Sequence, residues 1–365
     1  MWTLRPLPFS DLAGWAADDH GAALSAFARH ANRPMGETYR RGDAGIPPER
    51  LDALFSEAAS DTARADPRGF FERNFDPFAL VESIGERGFV TAYYEPEIEA
   101  SHERRDRFCV PFYRRPEDLV PVTDDNRPLG WDEEIRFARI AADGTLLAYP
   151  DRAAINAGWL DGRDLEIAYV ESPVDAFFAH VQGAARLRLG GGEVVRVTYD
   201  GKTGHAFTGI GRLLVERGEI DPDRVSMASI REWLAEHPDD ALPLMEENRS
   251  YIFFREAAVN DAGSGPVAAA KVPLTAERSL AIDRLVHTFG TPVFVNADAV
   301  DGAPWSRLMI AQDTGSAIVG PSRGDLFMGS GSKAGDRAGA VRSSADFVLL
   351  VPKTVRIEPG AGVAR

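Results

Sequence analysis

Near the end of the chain, an aspartate follows an apolar run and precedes small residues, a setting that suits acid–base chemistry. Residues 308–311 are apolar, Gln312 and Asp313 come next, and Thr314-Gly315 follows. An apolar run bounded by turn residues predicts a buried strand. Asp313 would then be held by a stiff strand and open toward a cleft, where a carboxyl group can donate and accept a proton.

Glycines continue beyond this strand and enclose two further carboxylates, Asp325 and Asp336. Glycine lets the backbone approach a ligand closely. On spacing alone, however, an ordinary glycine-rich hairpin with turn aspartates is favoured over a catalytic site. The glycines are Gly320, Gly324, Gly329, Gly331, Gly335 and Gly339.

Composition sets bounds on the architecture and on the partners. The 365 residues can form one large or two medium domains, and the apolar fraction of 44% supports a sizeable core. The net charge of −15 argues against a nucleic-acid partner, which requires a basic surface, and disfavours loose attraction to an anionic polymer or membrane. Cys109 is the single cysteine, so no intrachain disulfide forms.

The first part of the chain, over residues 10–80, is typical of helices. A first helix is expected to be capped at Ser10 or Asp11 and to run through Ala28. Pro48 and Pro67 mark the first turns of two further helices. Three aromatic residues of this segment are expected in the core, namely Phe70, Phe71 and Phe75.

Strand character begins at Gly88 and continues to residue 100 with β-branched and aromatic residues. Because Tyr93 and Tyr94 are adjacent, they face opposite sides of a strand, and at most one of them lines a groove. Glu95 follows them. It is either a second carboxylate at the cleft or a solvent-facing charge, and we favour the solvent-facing charge slightly.

The middle of the chain, residues 101–170, is rich in short β-like runs broken by proline and glycine, which predicts a small β domain. Ser172 then caps a helix whose buried stripe is expected to include Phe177, Phe178, Val181 and Ala185. His180 lies on this helix. We expect it to be a satisfied helix histidine rather than a ligand.

Several of these segments, in the same order, resemble the lytic murein transglycosylase A family. That family ends in a "3D" domain named after three aspartates, and the segments 312–318, 323–327, 329–331 and 334–339 are similar to it. By this resemblance the three aspartates are Asp313, Asp325 and Asp336. The stretch Tyr93-Tyr94-Glu95-Pro96 resembles the family's Tyr-Tyr-x-Pro motif, which lines the glycan groove. The similarity runs from about residue 75 to about residue 352.

The resemblance implies a mainly β fold with peripheral helices. It implies a double-psi β-barrel with an inserted second β domain and an N-terminal helical segment. Residues 1–100 would hold the helices and the first part of the barrel, 101–245 the inserted β domain, and 246–365 the rest of the barrel, with the 3D region at 308–352. The glycan would lie in a groove between the two domains.

The reaction that the resemblance implies is lytic cleavage of peptidoglycan by a carbon–oxygen lyase that acts on polysaccharide. The β-1,4 bond between N-acetylmuramic acid and N-acetylglucosamine breaks without water, and the C6 hydroxyl of the muramic acid closes a 1,6-anhydro ring. Because this nucleophile belongs to the substrate, one carboxyl group can act first as acid and then as base. We expect Asp313 to have this role, which requires a raised pKa.

The remaining site residues are assigned by motif position. Thr91, Tyr93, Tyr94 and Glu95 are expected to contact the substrate, together with the other two aspartates of the 3D motif. Asp325 and Asp336 either supply the neighbouring charge that raises the pKa of Asp313 or fix loops and contact substrate, and we favour the second role.

No cofactor and no metal is expected, because the seven histidines are scattered and form no ligand pair at helical spacing. The expected partner is the peptidoglycan glycan strand, and the default oligomeric state is a monomer. No apolar run is long enough to span a bilayer. The first residues show neither a secretory segment nor a lipid-accepting cysteine. Either the protein is cytoplasmic or, as the resemblance implies, it is periplasmic and open to outer-membrane association, with its targeting segment absent from this sequence.

Two rival functions remain at this point. A glycan hydrolase could use Asp313 with Glu95 and a water molecule, and it would leave a reducing end. A non-catalytic peptidoglycan-binding protein could keep the barrel without activity, with Asp313 bonded to backbone amides for stability.

Overall fold

The computed structural model describes residues 2–34, 38–82, 87–132, 135–257 and 263–357. The chain divides into two compact units. Unit 1 consists of Met1–Tyr94 and Asp261–Arg365, and unit 2 consists of Glu95–Asn260. Unit 2 is therefore inserted in the sequence of unit 1.

Helices and strands occur in runs along the chain and are numbered in order of sequence. The helices are α1 (His20–Ala28), α2 (Pro48–Ala58), α3 (Asp61–Ala65), α4 (Pro67–Asn74), α5 (Arg152–Asn156), α6 (Pro173–Gln182), α7 (Ile210–Glu216), α8 (Met227–Glu236), α9 (Pro238–Glu246) and α10 (Ser332–Ala340). The strands are β1 (Trp2–Pro6), β2 (Phe75–Glu82), β3 (Gly88–Glu95), β4 (Glu97–Ser101), β5 (Val110–Tyr113), β6 (Leu119–Pro121), β7 (Phe137–Ile140), β8 (Leu146–Leu147), β9 (Glu166–Val170), β10 (Ala184–Arg188), β11 (Val194–Lys202), β12 (Ile252–Ala257), β13 (Ser279–Ile282), β14 (Pro292–Val300), β15 (Ala303–Asp313), β16 (Arg323–Ser330) and β17 (Arg342–Pro352).

Unit 1 is built on a closed barrel. Its sheet has the order β1-β2-β17-β14-β15-β13-β16-β3, and β3 pairs with β17 as well, so six of these strands form a ring. Closure removes the exposed sheet edge that an open sheet would present. The expected fold class, a mainly β protein with a barrel, an inserted second β unit and N-terminal helices, is confirmed.

The N-terminal helices carry an aromatic core. Phe70, Phe71 and Phe75 are fully buried, as expected, and they pack with Phe27 at ring-centroid distances of 5.9–6.0 Å. The helix starts at Pro48 and Pro67 are confirmed, and Asp66 caps α4 by accepting from the Gly69 amide.

The expected start of the first helix is wrong. Residues Phe9–Asp11 and Trp15–Ala17 form single 3-10 turns, with Gly14 in the left-handed region at φ 85° between them. The α-helix begins only at His20, where the Asp19 side chain accepts from the Ala22 amide. A cap needs helical backbone directly after it, and the Gly14 conformation interrupts that backbone.

Unit 2 holds a six-stranded sheet of order β12-β11-β10-β4-β9-β5 and a three-stranded sheet of order β6-β7-β8. It starts at Glu95 and ends at Asn260, whereas the sequence suggested 101 and 245. The difference arises because β4 pairs with β9 and β10, and β12 pairs with β11, so both flanking strands belong to this unit.

Helix α6 starts as expected, with Ser172 accepting from the Asp175 amide. Its buried stripe differs from the expected one. Phe177 and Phe178 are buried, but Val181 is exposed and Ala185 lies in β10. The helix ends at Gly183, whose φ of 75° stops helical propagation before Ala185.

Candidate functional site

Asp313 is the last residue of β15, as the sequence indicates, and its carboxylate is surrounded by three donors. Its Oδ1 accepts from the Thr314 amide at 2.9 Å and from the Ala269 amide at 3.3 Å. Its Oδ2 accepts from the Tyr93 hydroxyl at 2.8 Å. Because two amides occupy Oδ1, a proton on this carboxyl group belongs on Oδ2, beside the Tyr93 hydroxyl.

Burial raises the pKa of Asp313 above its usual value, because the charged form loses hydration. The three hydrogen bonds act in the opposite direction and lower the pKa, since they stabilise the carboxylate. Burial prevails. The raised pKa thus favours the protonated form that an acid catalyst needs. The three donors can still stabilise the carboxylate after the proton has left.

Asp325 lies on β16, and β13 lies between β16 and the strand of Asp313, β15. Ala281 of β13 pairs in register with Asp313 on one side and with Asp325 on the other. Thr91 connects this second aspartate to β3, since the Thr91 hydroxyl donates to Oδ1 of Asp325 at 2.5 Å and accepts from Arg323 at 2.6 Å. Both aspartates and Thr91 are half-buried.

The pKa of Asp325 is raised to about 6, chiefly by burial, against the lowering effects of the Arg323 charge and the Thr91 hydrogen bond. The charge on Asp313 raises the pKa of Asp325 further. The two carboxyl groups therefore interact, and Asp313 is the one that ionises first. Burial is the cause of the raised pKa of Asp313 itself. A neighbouring charge is therefore not needed to explain that pKa.

The two adjacent tyrosines are both buried, each with 9% of its surface exposed. Tyr93 packs against Phe327 at a centroid distance of 5.3 Å, in a cluster with Leu274. Tyr94 lies against α10, where a Cβ on Gly335 would come within 2.7 Å of the Tyr94 ring. Gly335 therefore makes room for a side chain of the protein, whereas we expected the glycines here to admit a ligand.

Asp336 is not in a glycine-rich loop. It is exposed on helix α10, whereas Asp325 lies on strand β16, so the predicted hairpin with turn aspartates is wrong. Asp336 is absent from the groups that shift the pKa of Asp313 or Asp325. Thus the structure brings together two of the three aspartates.

The interpretation of Glu95 as a solvent-facing charge is wrong. Its side chain has 0% exposure, and it accepts from Arg196 at 2.7 Å and from Arg186 at 2.9 Å, all within unit 2. Burying a carboxylate is favourable only when it is paired. The two arginines are supplied by β10 and β11, so no local sequence pattern reveals the pairing.

A buried hydrogen-bond network behind Asp313 escaped the sequence reasoning. Gln312 accepts from Ser279 at 2.5 Å and donates to the Ala26 carbonyl at 2.9 Å. Its amide also lies 3.1 Å from Nε2 of His30. Because an amide nitrogen donates, this ring nitrogen accepts and Nδ1 carries the proton. Burial lowers the pKa of His30 to about 3, in keeping with this neutral state.

The network continues to the loop that contacts Asp313. Nδ1 of His30 lies 2.8 Å from the Tyr39 hydroxyl, which donates to the Ala270 carbonyl at 2.7 Å. The Ala270 amide in turn donates to the Gln312 carbonyl at 3.1 Å. This loop places the Ala269 amide on Asp313. A polar Gln312 inside an apolar strand was the one sequence signal for the network.

The described residues contain no group of three or more His, Cys, Asp or Glu side chains that could hold a metal ion. None of the helices in the described ranges combines the length and apolar character that a bilayer crossing needs. What the site offers is two neighbouring carboxyl groups, each with a raised pKa, and a phenol beside one of them.

Comparisons with known proteins give two family matches and a similar relative for this chain. Residues 89–255 match the family model of the MltA specific insert domain, and residues 278–351 match that of the 3D domain. Membrane-bound lytic murein transglycosylase A of Escherichia coli strain K12 is 34% identical over 311 residues, which is 82% of this chain and 74% of that protein.

Two crystal structures agree with this match. That of a membrane-bound lytic murein transglycosylase from Agrobacterium tumefaciens has a TM-score of 0.89 and 48% identity, covering 96% of this chain and 98% of that one. That of E. coli MltA with bound chitohexaose has a TM-score of 0.70 and 25% identity, covering 96% and 93%.

Proposed function

Because this chain belongs to the membrane-bound lytic murein transglycosylase A family, we propose that it is a lytic transglycosylase that cleaves peptidoglycan glycan strands. The observation that carries the proposal is the carboxyl group of Asp313, with its raised pKa and its proton directed to Oδ2 beside Tyr93. The oligosaccharide bound to the E. coli relative supports a glycan as substrate.

In the proposed mechanism, Oδ2 of Asp313 donates its proton to the glycosidic oxygen, and the bond from that oxygen to C1 of N-acetylmuramic acid breaks. The Asp313 carboxylate then accepts the proton of the C6 hydroxyl as O6 bonds to C1. The products are a free 4-hydroxyl on N-acetylglucosamine and a 1,6-anhydro ring. Asp313 regains its proton, and no water is consumed.

The residues around Asp313 have supporting roles in this proposal. The Ala269 and Thr314 amides stabilise the carboxylate once the proton has left. Tyr93 holds Oδ2, and burial keeps its own pKa well above the usual value, so it stays a neutral donor. Half-buried Thr91 and Asp325 are proposed to contact the sugar. For Tyr94 and Asp336 substrate contact rests on motif position.

Glu95 is proposed as a structural carboxylate. It was a candidate substrate contact and the candidate second carboxylate of a hydrolase, but its complete burial between two arginines supports neither role. The proposed cellular site is the periplasm, where peptidoglycan lies, and association with a membrane is suggested by the words "membrane-bound" in the names of the relatives. The outer membrane is proposed as that membrane. A monomer remains the prediction for the oligomeric state.

Mass spectrometry of the products from purified peptidoglycan tests the proposal. Anhydro-muropeptides, which are lighter by one water than hydrolysis products, are the expected result. Reducing-end muropeptides would replace the proposal with the hydrolase. An absence of products, with glycan retained in a pull-down, would leave a binding protein.

A further inference from the structure

Unit 2 contains a cavity that the proposed reaction does not use. Its volume is about 360 Å³, which is within the range of small-molecule sites. Its lining includes the aromatic rings of Tyr113, Phe177 and Tyr251. Every lining residue belongs to unit 2.

A buried guanidinium group forms part of the lining. Arg152 is only 4% exposed and lies over the rings of Phe177 and Tyr251, at 4.8 and 5.2 Å from their centroids. Its partners among the described residues are neutral, namely the Asn248 carbonyl, the Ser250 carbonyl and Nδ1 of His180. A buried cation without a carboxylate partner is costly.

The hydrogen-bond arithmetic leaves room for a carboxylate. Arg152 has five N–H groups, and its contacts use one on Nε, one on Nη1 and one on Nη2. One N–H therefore remains on each terminal nitrogen, which is the arrangement that binds a carboxylate through both of its oxygens. Burial lowers the pKa of Arg152 to about 10, and the opposing effects of Tyr251 and Glu246 offset only part of this shift.

His180 adds an unused donor beside this arginine. Because Arg152 can only donate, Nδ1 of His180 accepts, and Nε2 carries the proton. This Nε2 has no hydrogen-bond partner among the described residues, although His180 is 4% exposed. The expectation of a satisfied helix histidine is therefore met at Nδ1 and not at Nε2.

Negative charge lies on another part of the same cavity. Asp161 and Glu166 line it, and within the described ranges neither forms an ion pair. Asp161 lies near Tyr113, where its charge helps to raise the pKa of Tyr113, and the Tyr113 ring centroid is 6.4 Å from that of Tyr251. The Arg152 cation therefore lies beside Tyr251 and the Asp161 carboxylate beside Tyr113. Arg104 also lines the cavity, near Tyr169.

We propose that this cavity binds a short peptide with free ends, its carboxylate on Arg152 and its ammonium group on Asp161 and Glu166. The two charges form no ion pair with each other in the described ranges and lie beside different rings, which suits a peptide better than a free α-amino acid, whose charged groups are adjacent. Free peptides and stem peptides released from the cell-wall sugar share this chemistry. The inference does not depend on catalysis by Asp313.

Isothermal titration calorimetry of the full chain with trialanine tests the inference, and blocked peptides are the controls. Trialanine is expected to bind. Trialanine amide and N-acetyl-trialanine are each expected to bind at least roughly tenfold more weakly, because each lacks one charged end. Glycine is expected to bind more weakly by a similar factor, because its two charges are too close together to reach both parts of the cavity. No binding of trialanine, or equal binding of the blocked peptides, overturns the site. Equal binding of glycine overturns the peptide assignment. A stem peptide released from its sugar, with both ends free, identifies the stem as the source if it binds tighter than trialanine.

Variants locate the binding. Asp161→Asn and Glu166→Gln are expected to weaken trialanine roughly tenfold and leave N-acetyl-trialanine unchanged. Glu232→Gln, an exposed glutamate of α8, is the matched control. Arg152→Lys removes the two-point contact with the peptide carboxylate. If this variant fails to fold, the comparison of trialanine with trialanine amide in the unaltered chain decides whether the carboxylate is bound. An Asp313→Asn variant that binds trialanine normally separates this site from the proposed function.

Discussion

The hydroxyl of Tyr93 lies 2.8 Å from Oδ2 of Asp313, although the two residues are 220 positions apart in the chain. The contact joins β3 to the end of β15, two strands of the closed barrel. The Tyr93 hydroxyl binds Oδ2, which is the carboxylate oxygen that the Ala269 and Thr314 amides do not bind. The position of the proton on Asp313 is thereby defined by residues from three parts of unit 1.

Replacing Asp313 by Asn is expected to lower turnover by about 10²–10⁴-fold, because the general acid and base is lost. The release of anhydro-muropeptides, measured by mass spectrometry over time, provides the rate. Asp223→Asn, at an exposed position of unit 2, is the matched control and should be unaffected. A folded Asp313→Asn variant with full activity would remove Asp313 from the mechanism.

Replacing Tyr93 by Phe is expected to move the alkaline limb of the pH–rate profile to higher pH. The Tyr93 hydrogen bond lowers the pKa of Asp313, so its loss raises that pKa and keeps the acid protonated for longer. A hydrogen bond to a charged group corresponds to a shift of about 1–2 pH units at most. Tyr199→Phe, on an exposed tyrosine, serves as control. A shift to lower pH would contradict the assignment.

Replacing Asp325 by Asn is expected to leave the same alkaline limb almost unmoved. The charge on Asp313 raises the pKa of Asp325, whereas Asp325 is absent from the groups that raise the pKa of Asp313, so Asp325 is still neutral while Asp313 ionises. The amide is neutral as well, and its oxygen can still accept from Thr91. A limb that moved to lower pH in the Asp325→Asn profile would show that an ionised Asp325 raises the pKa of Asp313.

The Asp325→Asn variant should alter the pH dependence of stability. The pKa of Asp325 is raised from 3.8 to about 6 in the folded chain, so the unfolded chain releases this proton first as pH rises. The folded state consequently loses stability between about pH 4 and pH 6, and the variant does not. Thermal denaturation should show the variant gaining up to a few degrees in Tm over this interval, with no further gain above it.

Replacing Gln312 by Leu is expected to destabilise the fold by about 1–3 kcal/mol, because Ser279 and His30 lose their buried partner. Turnover should fall more than substrate affinity, since the network positions the loop that carries the Ala269 amide. Thermal denaturation and a comparison of kcat with KM measure the two effects. Unchanged stability would mean that the network contributes nothing to the fold.

Replacing Glu95 by Gln is expected to destabilise unit 2 by about 3–5 kcal/mol, because two arginines lose a buried counter-charge. Glu97→Gln is the matched control, since its ion pair with Arg188 is exposed and contributes about 0–1 kcal/mol. Denaturation curves provide the comparison. A stable Glu95→Gln variant that binds glycan poorly would restore Glu95 as a substrate contact.

The sequence predicted those features that depend on local patterns. The helix starts at Pro48, Pro67 and Ser172, the strand that ends at Asp313, and the buried phenylalanines all follow from periodicity and capping. The ordered motifs predicted the family and the fold class. Local chemistry suffices for these because the residues concerned interact with near neighbours in the chain.

The tertiary structure alone decided which polar groups meet. The burial of Glu95 between Arg186 and Arg196, the pairing of Thr91 with Asp325, and the separation of Asp336 onto a helix all depend on contacts across long stretches of chain. A charged residue has the same identity whether it is solvated or buried. Its pKa and its role are set by burial and by partners that only the folded chain brings close.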